Sequence, residues 1–453
     1  MRRRGSPRFL ASSEVAEYGR ATGVLGLGVG LFGILVYVFF ALCSRTLPTG
    51  QYGEIVLAWS AAYVIAMSGF RPVELLLSRS VTAARARGEP IGEALRAGLR
   101  VGAITLAVVA LLALAAAVGL AGPLFDGDYF LCGAAYATVL AAAIGFICRG
   151  VLVGEGRFFA YSTVLVIEGI ARIIPVGCVA VGVGGERLAV LALPIGPTVG
   201  LIATVWILVG RRRAPSAAAS APAFGGPGPV DRAGSVGSTA ALGAGSIFAS
   251  GLFALTLAEQ VLVNAGPILV GVRDGAAAAG LAFNILILGR APIVVFQAVG
   301  LSLMPHLTRL GAAGRSSREI DRSLRLTLVG VLGFTAFLGA IVAVAGPELM
   351  QVALGAGHTY RRLDLLIVVV GMGLYLTAST INQAAIAGGR VTAPALAWLA
   401  GAAGFCGCVA VAPFDPLRAL VFGFAATGGF LAMLSALLHR RATAASRRRQ
   451  SSR

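Results

Sequence analysis

The sequence predicts an all-α polytopic membrane protein, with twelve transmembrane helices in two six-helix lobes that form a parallel repeat around a central cavity. Three observations predict this fold class: an unusually apolar composition, long apolar segments along the whole chain, and segments that recur in both halves. Of the 453 residues, 57% are hydrophobic and only 12% are charged. About one quarter of an ordinary soluble domain is charged, so the chain is expected to fold in a membrane.

Twelve apolar segments are long enough to cross a bilayer. A helix of about 20 apolar residues spans a hydrocarbon layer of roughly 30 Å. By this criterion the spans are predicted at 22–44, 54–78, 99–121, 130–153, 159–183, 188–210, 240–271, 277–304, 326–345, 363–388, 393–412 and 416–438.

The arginines predict the orientation of these spans. Cytoplasmic segments retain the excess of basic residues, and an even number of spans places both ends of the chain on one side. With the N-terminus inside, 28 of the 37 arginines fall to cytoplasmic segments, six to outer loops, and three (Arg71, Arg172 and Arg290) to the spans themselves. We therefore expect a multi-pass protein of the plasma membrane with both termini in the cytoplasm.

One segment rich in Pro, Gly, Ser and Ala divides the chain. Residues 211–239 have a composition that buries little apolar surface, so they are expected to form a disordered cytoplasmic linker. The linker separates an N-terminal lobe at 1–210, with spans one to six, from a C-terminal lobe at 240–440, with spans seven to twelve. The last residues, 441–453, form a basic cytoplasmic tail that is expected to contact anionic lipid headgroups.

The two halves contain similar segments in the same order. GPLFDGDYF (122–130) follows span three, and GPELMQVALGAGHTY (346–360) follows span nine. RGVLVGEGRF (149–158) closes span four, and NQAAIAGGRV (382–391) closes span ten. The offsets of 224 and 233 residues indicate a duplication. Because each half has an even number of spans, the halves are parallel repeats with a cleft between them, and rocking one lobe against the other would open that cleft on alternate sides.

The few polar side chains inside the spans are candidates for function. A charge at the bilayer centre costs about 2.5–3.5 kcal/mol on insertion scales, so a retained charge usually faces protein or a water-filled cavity. These residues are Arg71 and Glu74 in span two, Glu168 and Arg172 in span five, Glu259, Gln260 and Asn264 in span seven, and Arg290 and Gln297 in span eight.

The charged pairs on single helices have two interpretations. Arg71 and Glu74 are three residues apart and Glu168 and Arg172 are four apart, which are spacings that favour ion pairs on one helix face. Structural neutralisation is favoured for Glu168 and Arg172. For Arg71, a structural pair with Glu74 and an anion site from which Glu74 is displaced are both open.

Arg290 and Glu259 have no partner of opposite charge within a turn of their own helices. Glu259 is therefore either a proton or cation coupling site or the partner of Arg290 across helices. Arg290 and Arg71 occupy comparable places in the repeats, and each is followed by a proline that can kink the helix and open a polar surface. An arginine fork binds phosphate oxygens through two hydrogen bonds.

Several segments carry a resemblance to a known superfamily. They are RTLPTGQYGEIVLAWS (45–60), GVRDGAAAAGLAFNILILGRAPIVVFQAVGLSLMPHLTRL (271–310), and the GEGR and AGGR turns at 154–157 and 387–390. Their order and spacing resemble the multidrug, oligosaccharidyl-lipid and polysaccharide exporters. Within that superfamily the chain is most similar to the oligosaccharide-lipid flippases of polysaccharide biosynthesis.

The resemblance implies a membrane transporter that flips a polyprenyl-pyrophosphate-linked oligosaccharide from the inner to the outer leaflet by alternating access. Arg71 and Arg290, one from each lobe, would hold the pyrophosphate, while Gln297 and Asn264 would face the sugars. The drug-exporting branch commonly couples transport to cations through an acidic residue in the first span. Residues 22–44 contain no such residue, which disfavours a multidrug exporter.

Three alternatives stay open: a lipid II flippase, a cation-coupled multidrug exporter, and a non-transporting membrane scaffold for glycosyltransferases. The expected partners are the lipid-linked oligosaccharide, membrane lipids, and a polysaccharide polymerase or glycosyltransferases. Nucleic acid is not expected despite the net charge of +18, because the chain has no soluble basic domain. The six cysteines lack metal-ligand spacing and the three histidines are scattered, so no catalytic residue, metal or cofactor is predicted, and an enzyme is not expected.

Overall fold

The computed structural model describes residues 7–125, 127–210, 238–289, 317–355, 357, 359–387 and 390–451, and no strand occurs among them. The helices are α1 (Pro7–Thr46), α2 (Thr49–Ala86), α3 (Ile91–Phe125), α4 (Tyr129–Gly154), α5 (Phe158–Ala180), α6 (Glu186–Gly210), α7 (Ser238–Asp274), α8 (Ala276–Gly289), α9 (Ser317–Leu354), α10 (Arg362–Ala387), α11 (Thr392–Val411) and α12 (Pro416–Ser451). Eleven of them are long and apolar enough to cross a membrane, and α8 is described only as far as Gly289.

These helices confirm the predicted all-α fold with twelve helices. They also correct one detail of the sequence prediction: Ser238 and Thr239, predicted to belong to the linker, begin α7. The arginine-bearing segments at 92–100 and 318–325 are helical and continue directly into the membrane helices α3 and α9. The rest of the predicted linker (211–237) and the second half of span eight (290–304) lie outside the described residues.

Helix ends follow local capping chemistry. The carboxylate of Asp128 accepts hydrogen bonds from the backbone amides of Phe130 (2.8 Å) and Leu131 (3.2 Å), so Asp128 caps the N-terminus of α4. After α4 the chain turns at Gly156, whose φ of 73° favours glycine. The turn brings α5 back beside α4 within four residues, which places the charged side chains of both helices close together.

The helix pairings of the first half recur in the second half. Within the first lobe α1 packs on α5, α3 on α4, and α6 on both α4 and α5. Within the second lobe α7 packs on α11, α9 on α10, and α12 on both α10 and α11. The two lobes therefore have the same arrangement of packed helices, as the sequence predicted.

The lobes are joined at the end of the molecule where α1 and α2 meet. The hydroxyl of Ser44 donates to the carbonyl oxygen of Leu354 (2.7 Å), and Nε of Arg45 donates to that of Ala353 (3.3 Å). Both carbonyls belong to the last turn of α9, where four carbonyls of any helix lack a partner within the helix. A cation is also favourable at a helix C-terminus, so α1 of one lobe caps α9 of the other.

A second contact between the lobes lies beside the first. The hydroxyl of Tyr52 hydrogen bonds to Asn284 on α8, and the amide of Asn284 donates to the hydroxyl of Tyr360 (3.0 Å). A Cβ atom on Gly53 would overlap the carbonyl oxygen of Ala276 at the start of α8. Glycine is therefore required at position 53 for α2 and α8 to approach this closely.

Candidate functional site

Charged side chains from three helices form one cluster inside the first lobe, here called the lobe-one cluster. It consists of Arg71 and Glu74 on α2, Arg149 on α4, and Glu168 and Arg172 on α5. Apart from Arg71, these side chains are buried. A buried charge is retained only when it is paired and hydrogen bonded, so the pairing pattern of the cluster decides what it can do.

Arg71 is the accessible member of the cluster. Its Nη1 donates to Oε2 of Glu74 at 2.6 Å and to the hydroxyl oxygen of Tyr161 at 3.5 Å. The Arg71 side chain is 39% exposed, whereas that of Glu74 is 3% exposed. Pro72 follows Arg71 within α2 and removes one backbone donor there. An incoming anion can therefore reach the guanidinium of Arg71 but would have to compete with Glu74 for it.

Glu168 holds the other two arginines. Its Oε2 accepts from Nη1 of Arg149 at 2.8 Å, and its Oε1 accepts from Nη2 of Arg172 at 3.2 Å. The guanidinium carbon of Arg172 also lies 4.5 Å from the centre of the Trp59 ring, a cation–π distance. All three charged side chains are less than a tenth exposed. Glu168 is thus the shared counter-ion of two buried arginines.

Glycines on α6 leave the space that these side chains fill. A Cβ on Gly196 would lie 2.9 Å from Nε of Arg172, and one on Gly200 would lie 3.1 Å from Oε2 of Glu168. Larger residues at these two positions would displace the ion pairs. Gly196 and Gly200 could not be predicted as part of the site, because nothing in the sequence of α6 shows which of its glycines faces α5.

The cluster carries an excess of positive charge, and its accessible member, Arg71, lies far from the end where the lobes are joined. Three arginines and two glutamates leave one net positive charge. Arg71 lies 22 residues after Thr49, the first residue of α2, which corresponds to about 33 Å of helix at 1.5 Å per residue. Such an arrangement can attract and hold an anionic group at Arg71.

The position of Arg149 differs from the sequence prediction. The sequence predicts a cytoplasmic arginine there, because residue 149 lies near the end of span four. In the structure Arg149 is 5% exposed and turns inward to Glu168. Its position within the predicted span 130–153, four residues from the end, was the available signal, because an arginine inside a span is expected to face protein.

The candidates from the second lobe are only partly described. Asn264 on α7 is buried, and its amide donates to the side-chain oxygen of Gln260 at 3.0 Å. Glu259, one residue before Gln260, is half-buried on the same helix. Arg290 and Gln297 lie outside the described residues. A pyrophosphate site shared by Arg71 and Arg290 therefore stays a prediction, as does the alternative pairing of Glu259 with Arg290.

No group of three or more His, Cys, Asp and Glu side chains lies close enough to hold a metal ion in the part of the chain that the structure describes. All six cysteines belong to that part, and each is a free thiol.

Comparison with known proteins identifies the fold. No family model matches the chain, and no curated protein sequence matches it. Among solved structures, the MATE transporter VcmN of Vibrio cholerae is 17% identical with a TM-score of 0.58, over 96% of this chain and 98% of that one. An inward-facing multidrug resistance MATE family transporter of the MOP superfamily is 14% identical with a TM-score of 0.62, over 94% and 99% of the two chains.

A third similar structure is a MOP superfamily transporter from Pyrococcus furiosus, in which reverse polarity of the binding pocket suggests a different function. It is 13% identical to this chain, with a TM-score of 0.60 over 94% of this chain and 96% of that one. All three alignments extend over nearly the whole of both chains. The chain therefore has the two-lobed fold of MATE transporters, as the sequence predicted.

Proposed function

We propose that this protein is a membrane transporter, not an enzyme, and that it moves a polyprenyl-pyrophosphate-linked oligosaccharide from the inner to the outer leaflet for cell-surface polysaccharide assembly. The observation that carries the proposal is the sign and accessibility of the lobe-one cluster. The cluster has one net positive charge, and its exposed member is an arginine. Arginine binds phosphate oxygens through two parallel hydrogen bonds and stays charged at physiological pH.

The fold supports transport by alternating access. Structures with this fold include multidrug transporters, and the Pyrococcus furiosus protein indicates that the fold can host pockets of different polarity. A positively charged site suits an anionic headgroup better than a cationic drug. In the orientation that the arginine distribution predicts, the joined end of the lobes would lie on the outer side. Substrate would then reach Arg71 from the cytoplasm, and rocking of the lobes would release it outside.

The size of the expected effect follows from the contact with Arg71. A hydrogen bond to a charged group contributes about 1.5–3 kcal/mol, which corresponds to roughly ten- to hundred-fold in an equilibrium constant. Arg71→Ala should therefore reduce transport by at least about ten-fold at limiting substrate. Arg71→Lys keeps the charge but loses the two-pronged geometry, so its activity should lie between those of wild type and Arg71→Ala.

The test is flipping of a fluorescent pyrophosphate-linked oligosaccharide lipid in proteoliposomes, measured by quenching of the probe from outside. Arg87→Ala is a matched control, because Arg87 lies directly after the last residue of α2 and pairs with an exposed glutamate, Glu89, at 2.8 Å. The control should flip lipid at the wild-type rate. Wild-type flipping by Arg71→Ala, at equal reconstitution, would show that Arg71 does not bind the substrate.

Two alternatives to this substrate share parts of the evidence. A lipid II flippase would use the same pyrophosphate chemistry, and the same assay with lipid II in place of the oligosaccharide lipid distinguishes the two. A cation-coupled multidrug exporter is favoured by one observation, the half-buried carboxylate of Glu259 on α7. That function predicts efflux of a cationic dye that Glu259→Gln abolishes and Arg71→Ala leaves intact.

A non-transporting scaffold predicts that polysaccharide assembly does not depend on Arg71. For a protein that only recruits a polysaccharide polymerase or glycosyltransferases, substitution of Arg71 would leave polysaccharide assembly intact. Proteoliposomes that contain the protein alone would then show no lipid flipping above that of empty liposomes.

A further inference from the structure

Four buried polar atoms in the lobe-one cluster have no hydrogen-bond partner among the described residues: the acceptor Oε1 of Glu74, and the donors Nε of Arg149 and Nε and Nη1 of Arg172. Each belongs to a side chain that is bonded through another atom: Oε2 of Glu74 to Arg71, and Nη1 of Arg149 and Nη2 of Arg172 to Glu168. Buried polar groups without a partner are uncommon and unfavourable, so one unsatisfied acceptor and three unsatisfied donors in the same cluster require an explanation.

Helix packing holds these two residues next to each other. Gly150, the neighbour of Arg149 on α4, lies against the backbone of Glu74 on α2. A Cβ on Gly150 would be 2.9 Å from the carbonyl oxygen of Glu74 and 3.2 Å from its Cα atom. Besides Glu168, the titratable groups close enough to act electrostatically on Arg149 are Tyr161, Glu74 and Tyr63. The carboxylate of Glu74 thus has a second cation within reach besides Arg71.

Binding of an anion to Arg71 would change the pairing of Glu74. The carboxylate would lose its present partner while it stays buried. A buried charge left without a partner weakens the state that contains it by a large factor. Binding of the anion would therefore be weak unless another cation paired with the carboxylate of Glu74.

We propose that Arg149 is that second cation: when a pyrophosphate group takes the guanidinium of Arg71, the carboxylate of Glu74 moves to Nε of Arg149. This inference rests on the proposed function, because it assumes that Arg71 binds an anion. Arg149 keeps its bond from Nη1 to Glu168 throughout, so no buried charge is left unpaired. Arg149 does not touch the substrate; it is a positioning residue that acts through Glu74.

Binding of farnesyl pyrophosphate to the purified full-length protein tests the exchange by a double-mutant cycle. Arg149→Met should weaken binding roughly ten- to hundred-fold, the factor for a charged hydrogen bond that is lost in the bound state. Glu74→Gln should bind at least as tightly as wild type, because no carboxylate competes for Arg71. With Glu74→Gln present, the further change Arg149→Met should alter affinity by no more than roughly two-fold.

Two further variants separate this role from damage to the fold. Arg87→Met removes an arginine outside the lobe-one cluster, which pairs with Glu89 at 2.8 Å, and it should leave the affinity within roughly two-fold of wild type. Arg149→Lys restores a cation beside Glu74 and should recover part of the affinity that Arg149→Met loses.

The outcomes distinguish the inference from the proposed function. If the wild-type protein binds farnesyl pyrophosphate no more tightly than farnesol, the anion site is contradicted, and with it both proposals. Wild type that binds, together with an Arg149→Met variant of unchanged affinity, would contradict the exchange alone. An equal loss with and without Glu74→Gln would also contradict the exchange, because Arg149 would then act independently of Glu74.

Discussion

Replacing Glu168 by glutamine tests whether ion pairs hold the lobe-one cluster together. The change removes the carboxylate to which Arg149 and Arg172 are hydrogen bonded, although both arginines stay buried. Charge centres about 4 Å apart attract each other by about 4 kcal/mol at an effective dielectric constant near 20. Two such pairs are lost, but the contact of Arg172 with Trp59 at 4.5 Å remains. Removing one partner of a buried pair costs about 3–5 kcal/mol in measured cases, and we expect Glu168→Gln to fall in that range.

Glu74→Gln provides the comparison. It removes a carboxylate that is equally buried, but the arginine it leaves behind is 39% exposed and can be solvated. An ion pair with that much solvent access contributes about 1 kcal/mol or less. Thermal unfolding in detergent micelles, followed by tryptophan fluorescence, should therefore show a clearly larger loss of melting temperature for Glu168→Gln than for Glu74→Gln.

A charge-free variant separates electrostatics from packing. Arg149→Met, Glu168→Leu and Arg172→Met together replace the three charges by apolar side chains of similar size, and such replacements are often neutral or stabilising. This triple variant should unfold near the wild-type temperature. A Glu168→Gln protein as stable as wild type, or one less affected than Glu74→Gln, would refute the reasoning.

Two other predictions concern packing and pH. Gly150→Ala should destabilise the protein by about 1–3 kcal/mol, because its Cβ would lie 2.9 Å from a backbone oxygen of α2. Gly133→Ala on the same helix meets no atom within 4 Å and should change stability by less than about 1 kcal/mol; equal melting temperatures would contradict the close packing. Burial raises the pKa of Tyr360 to about 12, against the opposing hydrogen bond from Asn284. In the unfolded chain the pKa of tyrosine is about 10. The stability that the protonated, buried Tyr360 hydroxyl contributes is therefore complete below pH 10 and is lost as the pH rises toward 12. A pH titration of tyrosinate absorbance in wild type should contain a step with this high pKa. Tyr360→Phe should remove that step, and it should also remove the loss of stability between pH 10 and pH 12.

Much of the fold could be predicted from the sequence. Apolar segments of about 20 residues must become helices in a bilayer, because every backbone polar group has to be bonded within the segment. That constraint is local, so the number and position of the helices followed from composition alone. The recurrence of Gly-Pro and Gly-Arg segments then indicated two lobes, and the recurring helix pairs agree with it.

The candidate site was predicted only where its partners share one helix. Arg71 with Glu74 and Glu168 with Arg172 are neighbours by helical spacing, and both pairs are hydrogen bonded in the structure. Arg149 lies 19 residues before Glu168, on a different helix. Its role depends on the turn at Gly156 and on how α4 is rotated against α5, and neither can be read from spacing.

The sequence by itself determined that this protein has twelve apolar helices in two similar halves, because burial of backbone and apolar side chains in lipid depends on local composition. Only the tertiary structure decided that Arg149, Glu168 and Arg172 form one buried network, and that Ser44 and Tyr52 join the two lobes. The physical reason is that charges and hydrogen bonds act over a few ångströms. Which groups come within that distance is set by the packing of helices that are remote in sequence.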